Sequence, residues 1–380
     1  MEHDKLIYLD NAATSFPKPE SVYRRIDEVL RTKGGNPGRS SHALAIKASR
    51  VVFSAREAVS RLINIPDSSR IVFTKNATEA INIGLKGILK PGDHVVTSTF
   101  EHNAVAKCIS RLEKSGIECT KVAPDEDGFL SPADIGSAIK KNTKLVCVSH
   151  ASNVFGAIQP VAEIGRVCKS KSVSLMIDAA QTIGAMPVDV RALGVSVLAA
   201  TGHKGLFGPQ GTGFLYIEEG IEPEQFVDGG SGIMENELEL PERLEAGTMN
   251  TPGIGGLGAG VEFLLSENVS KIRAHEERLL AFVLKGLSAM NGVTITGPME
   301  AAKRASLVAF NIEGKKPIEV GLRLDDESGI MTRCGTHCAP DAHRQALTWP
   351  EGSARVSPGY FNTEEEIEAF LKAIRKIAAK

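Results

Sequence analysis

Ala199-Ala200-Thr201-Gly202-His203-Lys204-Gly205 closes a short apolar run with a hydroxyl residue, a glycine, a histidine and a lysine. Upstream, Ser174-Leu175-Met176-Ile177 runs into Asp178-Ala179-Ala180-Gln181, and the offset from Asp178 to Lys204 is 204 − 178 = 26 residues. Each run has strand length and ends in polar residues. In open α/β sheets, ligand groups sit just past the carboxyl ends of strands. A lone lysine is usually a solvated surface group. Set beside Asp178, Lys204 reads differently. A lysine for a Schiff base and an aspartate for a pyridinium nitrogen are the two groups that pyridoxal phosphate (PLP) requires of its protein.

Outward from this pair, strand and helix patterns alternate. Strands are expected at 70–74, 94–99, 117–122, 144–149, 173–177, 197–200 and 212–217, with helical spacing at 78–89, 103–114, 132–139 and 161–169 between some of them. That alternation predicts an α/β fold with a large, doubly wound, mostly parallel seven-stranded sheet. An amphipathic helix is expected at 41–62 and a Gly-rich loop at 228–232. Helices at 253–265, 270–290, 317–324 and 363–379, with strands at 293–296 and 307–312, predict a smaller α+β domain. The expected division is a large PLP-binding domain over 15–257, with 1–14 and 258–380 forming the small one. Thr363 and Glu366 make a capping box for the last helix.

The 380 residues, 42% hydrophobic and 24% charged, suit a globular chain of two domains. A net charge of −2 gives no field directed at nucleic acid or anionic membranes. No apolar run approaches the ~20 residues of a membrane span, and no signal core follows Met1, so a cytoplasmic protein is expected. The six cysteines are scattered, which argues against a disulfide framework. Cys108, Cys119, Cys147 and Cys168 read as buried structural thiols. Cys334 and Cys338 lie among Gly, Thr, His and Pro. A zinc pair is conceivable there, but no second Cys/His pair has matching spacing, so no metal is expected.

Other strand ends carry polar groups. Asn76-Ala77-Thr78-Glu79 opens a helix, where free N–H groups and a hydroxyl suit a phosphate, although a plain N-cap fits equally well. Glu101-His102-Asn103 and His150-Ala151-Ser152-Asn153 follow two more strands. A histidine there can stack on a flat ring, or be an ordinary structural residue. Five such strand ends together are hard to dismiss.

On these residues the chain resembles the cysteine desulfurases, class V aminotransferase-type enzymes of PLP fold-type I, and most of all their selenocysteine-lyase-like subgroup. The specific motifs are Thr201-Gly202-His203-Lys204, Asp178-Ala179-Ala180-Gln181, Glu245-Ala246-Gly247-Thr248 and Arg333-Cys334-Gly335-Thr336-His337-Cys338. The resemblance implies that Lys204 is the Schiff-base lysine, Asp178 the partner of the ring nitrogen and His102 the stacking ring. It implies that Gln181, with Asn153 nearby, meets the phenolic oxygen. Ala77, Thr78, Thr201 and His203 would hold the phosphate, and Thr248 the phosphate of a partner subunit in a homodimer. Arg355 would clamp the substrate carboxylate, with Arg333 and Asn153 beside it. Cys338 matches the family's catalytic cysteine, and Arg333 and His337 would favour its thiolate.

The activity implied is conversion of L-cysteine to L-alanine, with sulfur carried as a persulfide on Cys338 and passed to an acceptor protein or small thiol. L-selenocysteine is a second possible substrate. Rival readings on the same scaffold are a selenocysteine lyase, a C–S β-lyase, an aminotransferase or epimerase, and a PLP-binding sulfur-relay partner of low turnover. The turn at Asn76 lacks a second hydroxyl. Cys334 is an extra thiol, readable as a resolving cysteine, a spectator or part of a metal pair.

Overall fold

The computed structural model describes residues 6–38, 41–229 and 239–379. Most of the expected Gly-rich loop, from Gly230 on, lies outside them. The central sheet has seven strands, in the spatial order Ile71–Thr74, Gly213–Ile217, Val197–Thr201, Ser174–Asp178, Thr143–Ser149, His94–Ser98 and Glu118–Val122. All neighbours are parallel except those of Gly213–Ile217, which runs antiparallel to both. Six of the seven strands are almost wholly buried, because helices cover both faces, and this is why they read as continuous apolar runs. One apolar cluster lies on each side of the sheet.

The chain winds outward in one direction from His94–Ser98 to Glu118–Val122, then returns to Thr143–Ser149 and winds the other way. The loops leaving His94–Ser98 and Thr143–Ser149 therefore diverge. This topological switch point opens a crevice past the carboxyl ends of the strands.

A second, antiparallel sheet has the order Arg333–Gly335, Ser353–Val356, Val308–Ile312 and Val293–Thr296. Helices Val269–Ser288, Pro317–Ser328 and Glu364–Ala378 supply its core with Leu280, Leu324 and Phe370. The capping box of Thr363 and Glu366 is formed. The N-terminal strand Ile7–Tyr8 pairs in parallel with Ile330–Met331.

Helix Thr251–Glu267 is continuous through residues 257 and 258, where a domain boundary was expected. Its glycines pack it tightly. A Cβ on Gly256 would lie 2.7 Å from Ile26 Cγ1, and one on Gly258 2.8 Å from Ala55 Cβ. Those neighbours belong to helices Glu20–Thr32 and Ala43–Leu62. The first of these was not expected from the sequence, since it buries only Val22 and Val29. No helix among the described residues is long and apolar enough to cross a membrane.

Candidate active site

A cavity of about 210 Å³ lies in the crevice. Nine of the expected site residues line it: Ala77, Thr78, His102, Asn153, Asp178, Gln181, Thr201, His203 and Lys204. They come from helix starts and strand ends far apart in sequence. Thr248, Arg333, Cys338 and Arg355 are not among its lining residues.

Lys204 sits in a turn with little freedom. Gly202 N donates to Thr212 O at 2.8 Å, and a Cβ on Gly202 would come 2.1 Å from Thr212 Oγ1, so only glycine fits. The N-terminal segment pins the same turn. Ser15 N donates to His203 O at 2.9 Å, Ser15 Oγ to Lys204 O at 2.9 Å, and Lys18 Nζ to His203 O at 3.1 Å. Burial lowers the Lys204 amine to about 8; Asp178 opposes that shift, and Arg355 and Arg333 reinforce it.

Asp178 ends its strand, 6% exposed, and Oδ1 accepts from Ala180 N at 2.9 Å. Burial raises its pKa, while that bond and Lys204 pull it down. His102 caps helix Asn103–Glu113, its Nδ1 accepting from Ala104 N at 3.1 Å. An accepting Nδ1 places the ring proton on Nε2. Burial, with help from Lys204, Arg333 and Arg355, lowers His102 to about 4, so the ring is neutral. Gln181 Nε2 donates to Ala12 O at 3.2 Å.

At the other end of the cavity, helix Ala77–Ile88 begins. Asn76 caps it by accepting from Glu79 N at 2.9 Å, and the amides of Ala77 and Thr78 have no intrahelical acceptor. Thr201 Oγ1 and His203 Nδ1 are buried, with no hydrogen-bond partner among the described residues. Buried polar atoms are normally satisfied. Two orphans beside a helix N-terminus are the donor set an anionic phosphate would complete. With Lys204 and Asp178 across the same cavity, the residues present fit PLP.

Thr248 is exposed and meets Asn36 Nδ2 at 3.4 Å. Its segment is anchored by Glu245. Arg56 Nη1 and Nη2 donate to Glu245 Oε1 and Oε2, both at 2.8 Å, and Phe73 N donates to Oε1 at 2.6 Å. The two side chains are 8% and 6% exposed.

The Cys338 loop bears on the site from the smaller sheet. Asn103 N donates to Cys338 O at 2.8 Å, and Asn153 Nδ2 donates to His337 O at 2.6 Å. The Asn153 amide is thus engaged with this loop. His337 and Cys338 have left-handed φ values of 50° and 57°, unusual for non-glycine residues. The exposed Cys338 Sγ accepts from Arg333 Nη2 at 3.4 Å. His337 departs from expectation. It is 2% exposed, with Nδ1 3.1 Å from His343 Nε2, and burial and Arg355 hold it neutral. A neutral ring facing another imidazole supplies no positive charge to Cys338, whereas the Arg333 guanidinium lies at its sulfur.

Cys334 is not placed to resolve a persulfide. A Cβ on Gly321 would meet its sulfur at 2.5 Å, so the thiol faces helix Pro317–Ser328, and burial raises it to about 11. No metal-ligating cluster exists among the described residues.

Arg355 stands opposite Arg333 across two strands and is 1% exposed. Its Nη1 donates to Asn153 O and its Nη2 to Asp10 Oδ1, each at 3.1 Å, while Nε has no partner among the described residues. Asp10, Ser15 and Lys18 were missed in the sequence. Their partners in the lysine turn and in Arg355 lie 185 or more residues away, and only Asp10, in Leu9-Asp10-Asn11-Ala12, carried a signal.

Residues 7–370 match the family model described as Aminotransferase class-V. The chain belongs to this family. It is 36% identical to the probable cysteine desulfurase of Methanothermobacter thermautotrophicus, covering 98% of this chain and 94% of that one. It is 34% identical to the cysteine desulfurase IscS of Clostridium botulinum over the same shares. Among solved structures, the apo cysteine desulfurase of Thermococcus onnurineus superposes with a TM-score of 0.92 at 34% identity, covering 99% of this chain and 95% of that one. The Escherichia coli cysteine desulfurase CsdA gives 0.87 at 27% identity, covering 98% and 94%.

Proposed function

We propose that the protein is a PLP-dependent cysteine desulfurase that converts L-cysteine to L-alanine and carries the sulfur as a persulfide on Cys338. The observation that carries this reading is the joining of two sites. A cavity fitted to PLP lies under a loop that presents an exposed, arginine-bonded cysteine. Transamination, epimerisation and β-elimination need no such thiol.

Bound in the cavity, the cofactor supplies an electron sink for negative charge at the substrate α-carbon. Lys204 attaches the cofactor and moves the α-proton at Nζ; its lowered pKa leaves a useful fraction of neutral amine near pH 7. Asp178 would hold the ring nitrogen protonated, and the neutral His102 would cover the ring. Ala77, Thr78, Thr201 and His203 would hold the phosphate, and Gln181, with Asn153, would meet the phenolic oxygen. Arg355 anchors the substrate carboxylate through donors that Asp10 leaves free, an arrangement suited to a planar fork. Arg333, bonded to Cys338 Sγ, orients that sulfur for attack on the substrate sulfur.

The reading includes a homodimer. Thr248 lies off its own cavity, exposed, and bonded to the loop between two helices that leave Leu30, Leu44 and Phe53 exposed. That placement supports service to the partner's phosphate. The reading also includes a large unit over 15–257, a small one from 1–14 and 258–380, a cytoplasmic location, and transfer of sulfur to a protein or small thiol. The test is product analysis with L-cysteine. Sulfide with alanine is expected, and sulfide with pyruvate would replace this reading by β-elimination.

A further inference from the structure

A second carboxylate stands behind Asp178. Glu101 lies in the turn that leaves His94–Ser98 at the switch point and is 2% exposed. Its Oε1 accepts from Ser98 Oγ at 2.6 Å and from Ser149 N at 3.1 Å, and its Oε2 accepts from Ser149 Oγ at 2.6 Å. All three donors are neutral. Ser149 ends the adjacent strand, lines the cavity and is the register partner of Asp178. A buried carboxylate held by neutral donors is costly to maintain. Two acidic groups one strand apart increase that cost.

We propose that Glu101 is a positioning residue acting through Asp178: its negative charge, one strand behind, raises the proton affinity of Asp178 and of the ring nitrogen bonded to it. This rests on the PLP reading above. The titratable groups that face Glu101 are Asp178, from Ser174–Asp178, and Cys147, from Thr143–Ser149, whose thiol stays protonated because burial and the two carboxylates push it up. His102, next in sequence, is neutral. Burial raises Glu101 to about 7, with Asp178 adding to the rise and the three hydrogen bonds opposing it. The charge is therefore present above about pH 7, and the aid to the ring nitrogen fades as pH falls through that value.

The test uses holoenzyme loaded with PLP labelled with ¹⁵N in the ring, read by NMR across pH. E101Q keeps the shape and removes the charge, and its ring nitrogen should lose its proton about one unit lower than wild type. E101D should recover most of that shift. An E101Q titration indistinguishable from wild type would reduce Glu101 to a structural acceptor and overturn the proposal. If E101Q does not fold, S98A decides. It removes one donor from the carboxylate outside the cavity, and it should shift the ring nitrogen in the same direction by less; no shift overturns the proposal. Wild-type protein that takes up no PLP would defeat the cofactor reading itself, an outcome distinct from bound PLP with an unmoved E101Q.

Discussion

Glu245→Ala should destabilise the protein by about 3–4 kcal/mol. Glu245 receives three donors within 2.8 Å, two from Arg56 and one from Phe73 N. Both side chains of the pair are less than a tenth exposed. Removing one partner of a buried pair costs about 3–5 kcal/mol, because the other charge stays buried alone. Arg56 also donates to Ile71 O and lies 4.7 Å from the Phe73 ring centroid, contacts it would retain. These place the loss in the lower half of that range. Replacing both residues with apolar ones, R56M/E245L, leaves the Phe73 amide and the Ile71 carbonyl without these partners but strands no charge, a cost of about 2–3 kcal/mol. The double variant should therefore be more stable than Glu245→Ala alone, which is the signature of a buried charge left without its partner. Urea unfolding of the apoprotein measures all three. A loss below about 1 kcal/mol in Glu245→Ala would refute the reasoning. In the same variant, PLP should bind more weakly, since the turn bearing Thr248 loses its anchor.

Lys204→Ala should abolish the visible absorbance of bound cofactor and release PLP on dialysis; a retained band would move the attachment point. PLP uptake by the apoprotein needs the neutral Lys204 amine, so its rate should rise about tenfold per pH unit below about 8 and level off above it. A stopped-flow rate still climbing to pH 10 would contradict the lowered amine pKa. Arg355→Ala should raise KM for L-cysteine about 10- to 150-fold, the equivalent of a charge-assisted bond of about 1.5–3 kcal/mol, with the cofactor spectrum unchanged. Cys338→Ser should keep PLP and lose desulfuration, whereas Cys334→Ser should keep most of it. Mass spectrometry after one equivalent of L-cysteine should find the added sulfur on the Cys338 peptide, and its appearance on Cys334 would reverse the assignment.

Much of the sheet was legible because its inner strands are buried on both faces and so read as apolar runs ending in polar residues. Asp178 and Lys204 stood out for that reason, and helix spacing placed Thr78 and His102 at N-termini. Other features depended on distance in the chain. The bond from Arg355 to Asp10 spans 345 residues, and no local pattern encodes it. The neutrality of His337 follows from burial against His343, which its neighbours in sequence do not announce. The burial of the Cys334 thiol follows from strand alternation, which turns its sulfur away from the face shared by Arg333 and Arg355. The strand Arg333–Gly335 is three residues long, too short to betray its period.

The N-terminal segment has one more consequence, for the order in which the site is assembled. Leu9 and Asn11 bond the backbone at Met331 and Ser357, Asp10 holds Arg355, and Ser15 and Lys18 grip the turn bearing Lys204. Through Asp10 and Arg355, this segment is thus fastened to a strand 345 residues further along the chain. During translation the central sheet can close while this strap still waits for strand Ser353–Val356. Contacts that close so long a loop form late, after the lysine turn itself has been made.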